Sequence, residues 1–185
     1  MVLKVSGESL VGDGGEPVSA EAAARVAAEI KAAVDAGAEV GVVIGAGNII
    51  RGVAAEAGGA DRVTADFAGM MATVVNGLAL AGALEKLGQP ARVMSALPCG
   101  RAAELYDHRR ADAHLSSGAV VVFAAGTGNP FFSTDTAAVL RAAEIGADAL
   151  LKATQARQKN DLRETARLVK DHGRSSIVMA GEVLE

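Results

Sequence analysis

Residues 116–135 read SSGAVVVFAAGTGNPFFSTD, and this stretch decides the fold class. Three consecutive valines and a phenylalanine lie between a Ser-Ser-Gly turn and a Gly-Thr-Gly loop, which is typical of a buried β-strand. A helix is predicted to begin after the loop, at Thr134 or Asp135, and to end near Gly146. A strand, a glycine-rich loop and a helix in this order are typical of an α/β protein.

The same alternation of short apolar runs and alanine-rich segments continues along the chain. Helices are predicted from Ser19, as N-cap, to Ala36 and from Thr64 to Leu87, and a glycine follows each of them. Consecutive apolar strands joined by helices predict a three-layer α/β/α sandwich with a mainly parallel central sheet. No linker-like composition divides residues 1–185, which are predicted to form a single domain. Strands are predicted over residues 2–5, 39–44, 91–95, 119–124 and 148–152, with a strand-like run at 176–179.

Composition excludes several classes of protein. The chain has 185 residues and a formal net charge of -4, so it lacks the basic character that nucleic-acid binding requires. Its one cysteine, Cys99, cannot form an internal disulfide, and residues 1–4 do not resemble a signal peptide, so a cytoplasmic location is expected. Residues 67–84 carry no charge, but Ala and Gly dominate them and Thr73 and Asn76 interrupt them. A buried helix is predicted here and not a membrane span.

Glycine-containing loops follow three of the predicted strands, at the edge of the sheet where α/β proteins bind ligands. Glycine lets backbone N–H groups approach an anion closely, and Lys4 and Arg51 can supply the positive charge that a phosphate requires. One such loop could be an ordinary strand-to-helix turn, but three together favour a phosphate site. The loops read KVSGES at residues 4–9, GAGNIIRG at 45–52 and GTGNPFFSTD at 126–135.

Other catalytic motifs do not occur in the sequence. There is no Gly-Lys-Ser/Thr triplet of a Walker loop, and Ile50 stands where the third glycine of a Rossmann fingerprint would lie. The three histidines lie in charged helical segments and not after strands, so a nucleophile with its base is not indicated. Phosphoryl transfer remains as the reaction class that the sequence allows, because it requires positioning and charge neutralisation more than a nucleophile from the protein.

Together the motifs resemble those of the bacterial UMP kinases (uridylate kinases) in the amino-acid kinase family. The resemblance implies the amino-acid kinase fold and transfer of the γ-phosphoryl group of ATP, as its Mg²⁺ complex, to UMP, which gives UDP for pyrimidine nucleotide (CTP) biosynthesis. It also implies a homohexamer, in which the segment after Asp66 packs subunits together, and GTP and UTP as effectors. The matching motifs are LKVSGE (residues 3–8), VVIGAGN (42–48), ADFAGMMAT (65–73), GTGNPFFSTDTA (126–137) and LLKAT (150–154).

The resemblance assigns a role to each residue that matches the family's motifs. Lys4, Arg51 and Asp135 are implied as the catalytic side chains, and no residue is implied as a direct metal ligand. The residues implied to contact ATP are Lys4, Gly7, Gly47, Arg51 and Thr154. Those implied to contact UMP are Ala46, Asp66, Thr127, Gly128, Asn129, Pro130, Phe131, Phe132, Ser133 and Thr134.

The sequence departs from the family in two places. Ala46 replaces a glycine, and after Thr154 the chain reads QARQKN where the family has a Lys-Val-Asp-Gly-Val-Tyr type of stretch. Residues 155–185 are therefore interpreted as a shortened or divergent C-terminal part that affects the ATP side. The alternative function is a non-catalytic UMP- or UTP-binding or regulatory paralogue with an impaired ATP site. A kinase of the same fold for a carbamate or carboxylate is disfavoured, because residues 127–134 match the uridylate branch.

Overall fold

Seven strands form a single sheet in the computed structural model, which describes residues 1–50, 61–153 and 178–180 of the chain. Their order across the sheet is β4-β3-β5-β2-β1-β6-β7, and each pair of neighbours is parallel. The predicted parallel sheet is confirmed. The strands are β1 (Val2–Val5), β2 (Gly41–Ile44), β3 (Ala91–Ser95), β4 (Glu104–Leu105), β5 (Val120–Ala124), β6 (Ala149–Lys152) and β7 (Val178–Ala180).

Four α-helices and a short 3₁₀ helix, Gly7–Leu10, connect the strands in the described part of the chain. Each α-helix begins after a residue whose side chain accepts a hydrogen bond from a backbone N–H of the first turn, which satisfies a donor that has no partner inside the helix. These N-caps are Ser19, Asp61, Asp107 and Ser133. The helices are α1 (Ala20–Asp35), α2 (Arg62–Lys86), α3 (His108–Ser116) and α4 (Thr134–Glu144).

The helices cover both faces of the sheet, as the alternation of side chains along β5 shows. Val120, Val122 and Ala124 point into a core that contains the buried residues of α1 and α2. Val121 and Phe123 point the opposite way, into a second core with α3 and α4. Both cores are apolar, so strand β5 is hydrophobic at every position. The predicted three-layer sandwich is therefore confirmed.

Helix α2 is the segment that composition marks as a candidate membrane span. Its 25 residues are long and apolar enough to cross a membrane, but 56% of its most apolar window is buried inside the fold. Leu80 and Leu84 are fully buried, and Gly77 lies against Val122 and Val93 of the sheet. The predicted buried core helix is confirmed.

Three elements of the structure were not predicted: β4, α3 and the short 3₁₀ helix Gly7–Leu10, whose residues were interpreted as part of a loop. Strand β4 has only two residues at the edge of the sheet, so no apolar run marks it. Helix α3 has nine residues, of which only Ala111 and Leu115 are buried, and it carries two of the histidines expected in a charged helical segment. The predicted strand-like run at 176–179 overlaps β7. The other predictions for residues 154–185 lie outside the described residues, and the assignment of the whole chain to one domain stays a prediction.

Alanine substitutions at Gly41 and Gly82 should change the stability of the fold in opposite directions. A Cβ on Gly41 would lie 2.7 Å from Cε2 of Phe123, a buried ring that packs edge-on against Tyr106. We expect Gly41→Ala to lower the free energy of unfolding by about 1–3 kcal/mol, as overpacked cores do. A Cβ on Gly82, in α2, would have no atom within 4 Å. Because alanine favours a helix more than glycine does, we expect Gly82→Ala to raise the free energy of unfolding by about 0.5–1 kcal/mol. Urea denaturation measures both, and equal effects would contradict this account of packing around Phe123.

Candidate active site

Three of the glycine-containing loops meet at the carboxyl ends of the strands. A Cβ on Gly45 would lie 3.3 Å from the backbone nitrogen of Gly7 and 3.5 Å from Oγ1 of Thr134. A Cβ on Gly7 would lie 2.1 Å from Oδ1 of Asn48 and 2.8 Å from the Gly45 carbonyl oxygen, so a larger residue does not fit at position 7. The loops after β1 and β2 and the start of α4 are thus in contact, as predicted from the parallel sheet.

Two lysines share one carboxylate at this edge of the sheet. Lys4 in β1 and Lys152 in β6 are paired across neighbouring strands. The Lys4 Nζ lies 2.9 Å from Oδ1 of Asp135, and the Lys152 Nζ lies 2.9 Å from Oδ2. Asp135 belongs to the first turn of α4, where the helix dipole favours negative charge. Two ammonium groups against one carboxylate leave an excess of positive charge, which suits an anionic ligand.

The ionisation of Asp135 reflects its two partners. Partial burial raises the pKa of this carboxyl, but hydrogen bonds and charge from Lys152 and Lys4 outweigh burial, so the pKa lies below its ordinary value. The carboxylate is therefore kept ionised and holds both ammonium groups in place. Lys152 was not predicted as a site residue, although it lies in the LLKAT motif, because only the strand order places it beside Lys4.

A cavity of about 200 Å³ lies next to this cluster, between α2 and the loop that precedes α4. Helix α2 contributes Ala65, Gly69, Met70 and Thr73 to its wall, none of which the sequence analysis assigned to the site. Seven of the predicted site residues line the same cavity, and they come from all three segments that surround it. They are Ala46, Gly47, Asp66, Thr127, Asn129, Phe132 and Thr134.

The remaining predicted residues lie around the cavity or outside the described part. Gly128 packs against Ala96, since a Cβ at this glycine would lie 3.1 Å from the Ala96 carbonyl oxygen. Ser133 caps α4, and Phe131 is 66% exposed. Like Pro130, these residues belong to the cavity's loop without lining the cavity. Arg51 and Thr154 lie outside the described residues.

Asp66 links α2 to the loop at Phe131. Its Oδ1 accepts a hydrogen bond from Nε of Arg62 at 2.8 Å, and its Oδ2 accepts one from the backbone N–H of Phe131 at 2.7 Å. The bond from Arg62, assisted by the one from Phe131, holds the pKa of Asp66 below its ordinary value. Phe131 has a φ of 69°, in the left-handed region that L residues rarely adopt, so Asp66 stabilises an unusual loop conformation. The predicted contact of Asp66 with UMP stays a prediction.

The parallel sheet, the loops at its edge and the lysine pair beside a helix N-terminus are features of α/β proteins that bind phosphates. Residues 1–158 match the model of the amino acid kinase family, and the chain belongs to that family.

Similar proteins come from the curated sequences and from the solved structures. The chain is 59% identical over 155 residues to uridylate kinase of Methylococcus capsulatus, an alignment that covers 84% of this chain and 65% of the relative. It is 54% identical to uridylate kinase of Xanthomonas axonopodis pv. citri, with the same coverage. The crystal structure of UMP kinase from Bacillus anthracis is similar to this chain with a TM-score of 0.80 and 41% sequence identity. The match covers 84% of this chain and 64% of the Bacillus anthracis chain. The chain thus spans about 65% of the length of the curated relatives.

Replacing the two lysines should raise the pKa of Asp135. In the unmodified chain we expect a value below the usual one of about 3.9. The double variant Lys4→Met, Lys152→Met removes the hydrogen bonds and charges that lower the pKa and leaves partial burial, so we expect the pKa of Asp135 to rise. NMR titration of the Asp135 carboxyl measures both.

The same pKa predicts a pH dependence of stability. A carboxyl whose pKa is lower in the folded state contributes stability above its unfolded pKa, and this is lost as the pH falls through the folded value. We therefore expect acid below about pH 4 to remove this contribution from the unmodified chain but not from the double variant. Lys31→Met is the matched control, because Lys31 pairs with Asp35 on α1. An unchanged Asp135 titration in the double variant would contradict the shared ion pair.

Proposed function

We propose that the chain transfers the γ-phosphoryl group of ATP to UMP, giving UDP in pyrimidine nucleotide biosynthesis. The observation that carries the proposal is the pair of lysines held by Asp135 near a cavity lined by helix α2, the loop after β2 and the loop before α4. The relatives named uridylate kinase and UMP kinase support the choice of substrate.

The lysine pair suits the charge that develops in phosphoryl transfer. The transferred group passes through a loose transition state with charge on its equatorial oxygens, so fixed cations accelerate the reaction more than a protein base would. The side chain of Lys4 is only 13% exposed, which limits its movement and reduces screening of its charge. Asp135 orients both ammonium groups. Arg51 would add a third positive charge, and Gly7, Gly47 and Thr154 would contact ATP.

The cavity offers polar and apolar groups in an arrangement that suits a nucleoside monophosphate. Thr127, Asn129 and Thr134 supply hydrogen-bonding groups along one wall, and Phe132, 59% exposed, supplies a ring face for a base. Asp66 would accept hydrogen bonds from the ribose. Gly128, Pro130, Phe131 and Ser133 would shape the same loop around UMP, and Ala46 would lie beside its phosphate.

The described residues fit a Mg²⁺ ion that arrives bound to ATP. Among them, no group of three His, Cys, Asp or Glu side chains could hold a metal, and both oxygens of Asp135 accept hydrogen bonds from lysines. Mg²⁺ keeps several waters and binds largely through substrate phosphates, so such a cluster is not required. When bound, the ion would offset charge on the phosphate oxygens.

The assay of this proposal is UDP formation from UMP and Mg²⁺-ATP. We expect Lys4→Ala and Asp135→Ala each to lower kcat at least ~100-fold, because each disrupts a preorganised charge at the transferring group. Lys152→Ala is expected to act in the same direction. The control Lys31→Ala, in an exposed ion pair on α1, should change kcat by less than about twofold. Activity that persists in the Lys4 and Asp135 variants would overturn these roles, and calorimetry that finds UMP binding without ATP binding would favour the non-catalytic alternative.

The outer face of α2 supports self-association. Five large apolar side chains recur there at helical spacing and remain exposed, and we refer to them as the α2 stripe. A contiguous apolar surface of this kind marks an interaction site. The proposed oligomer covers it with another copy of the chain, while the homohexamer and the GTP and UTP effectors rest on the resemblance, as does the cytoplasmic location. The α2 stripe consists of Val63, Phe67, Met71, Val75 and Leu78.

A charge in the α2 stripe should dissociate the oligomer. Val75 is 53% exposed at the middle of the stripe, so Val75→Glu would place a carboxylate in a desolvated interface. Val139 of α4 is 55% exposed on the other face of the molecule, and Val139→Glu is the matched control. In sedimentation velocity we expect oligomers for the unmodified chain and the control, and monomers for Val75→Glu. A monomeric unmodified chain would contradict the proposal.

A further inference from the structure

Two buried polar side chains on α2 form hydrogen bonds that the site as described so far does not include. Thr73 is 3% exposed and Asn76 is fully buried, within a helix segment that carries no charge. Polar groups are buried at a cost that only hydrogen bonds offset. Both residues form such bonds, and their partners lie in two different loops of the site.

Thr73 hydrogen-bonds the residue that follows β5. Its Oγ1 accepts from the backbone N–H of Ala125 at 2.6 Å and donates to the Met70 carbonyl oxygen at 2.6 Å. The single hydroxyl proton is therefore engaged inside the protein. Ala125 is fully buried and has a φ of 60°, so without Thr73 its N–H would lose this partner at a strained position. Ala125 directly precedes Gly126, which lines the cavity.

Asn76 hydrogen-bonds the residue that follows β2. Its Nδ2 donates to the Gly45 carbonyl oxygen at 2.7 Å and to Oδ1 of Asn48 at 2.8 Å. Asn48 returns a bond to Oδ1 of Asn76 at 3.1 Å and donates to the Pro17 carbonyl oxygen at 2.6 Å. Gly45 directly precedes Ala46, another cavity residue.

The two loops leave the sheet in different directions. Strands β2 and β5 are adjacent and parallel. After β2 the chain continues to α2 on one face of the sheet, whereas after β5 it continues to α4 on the other face. A crevice opens where neighbouring strands diverge in this way, and ligands of α/β proteins bind there.

We propose that Thr73 and Asn76 are positioning residues that set the width of this crevice. One turn of α2 holds the first residue beyond each of the two strands, Ala125 through its N–H and Gly45 through its C=O. We call this pair of contacts the α2 clamp. The clamp acts on the ligand through the loops that it holds, although Thr73 also lines the cavity. It rests on the proposed function only for the identity of the ligand as UMP.

Thr73 offers a matched set of variants. Thr73→Val keeps the shape of the side chain and removes the hydroxyl, while Thr73→Ser keeps the hydroxyl. We expect Thr73→Val to raise the UMP Kd about tenfold, as loss of one buried hydrogen bond does, with Thr73→Ser within about twofold of the unmodified chain. We expect the UMP KM to rise in the same proportion, with little change in kcat. Calorimetry and initial rates on the full chain measure these.

Amide hydrogen exchange tests the hydrogen bond between Ala125 and Thr73 without any ligand. We expect the Ala125 N–H to exchange at least ~tenfold faster in Thr73→Val than in the unmodified chain, and Thr73→Ser to restore slow exchange. Asn76→Leu removes the second contact and should raise the UMP Kd to a similar extent while leaving exchange at Ala125 slow. If Thr73→Val does not fold, Thr73→Ala is measured in its place.

A control separates the clamp from general loss of stability. Leu84 is fully buried on the same helix, beyond the clamp, and Leu84→Val is expected to lower the Tm and leave the UMP Kd within about twofold. An unchanged UMP Kd and unchanged Ala125 exchange in Thr73→Val would overturn the proposal. So would a rise in Kd that simply follows the loss of Tm across all variants. If the unmodified chain binds no UMP, the proposed function fails, and exchange at Ala125 still decides whether the clamp exists.

Discussion

The ammonium groups of Lys4 and Lys152 share the carboxylate of Asp135, and this contact depends on the pairing of β1 with β6. The two lysines lie opposite each other in parallel register, so their like charges would repel if no anion stood between them. Asp135 reaches them because α4 begins at the edge where both strands end, after a cap at Ser133. The charge cluster therefore requires the sheet, the loop before α4 and the start of that helix at once.

The elements and loops of the site were predictable from the sequence because their signals are local. The valine run of β5, the Ser19 cap and the glycines after helices each act within a few residues, and the structure confirms the elements that they predict. Convergence of the loops followed from one further rule, that parallel strands end at the same edge of the sheet.

The residues that the sequence analysis missed depend on contacts between distant segments. Lys152 becomes part of the site because β6 lies beside β1, and strand order is not encoded in any local pattern. Thr73 and Asn76 were recognised only as polar interruptions of an apolar segment, since their partners Ala125 and Gly45 are remote in sequence. Strand β4 escaped notice because an edge strand of two residues has no periodicity.

The two apolar faces of helix α2 explain why residues 67–84 carry no charge. A helix that is hydrophobic on all sides must bury more than one face. One face packs on the sheet through Leu80 and Leu84, and the α2 stripe on the opposite side remains for the proposed self-association. Between the two faces, polar side chains hold the loops of the site.

The aromatic residues show that the loop before α4 is ordered without a ligand. Phe123 and Tyr106 pack edge to face in the core, whereas Phe131 and Phe132 are mostly exposed although aromatic residues are scarce in this chain. Exposed rings gain little from folding, and Phe131 also adopts a left-handed backbone conformation. The bond from its N–H to Asp66 holds that conformation before any ligand arrives. Because the loop is already ordered, binding of the proposed ligand would cost less conformational entropy. The strain at Phe131 would be offset by folding and not by the ligand.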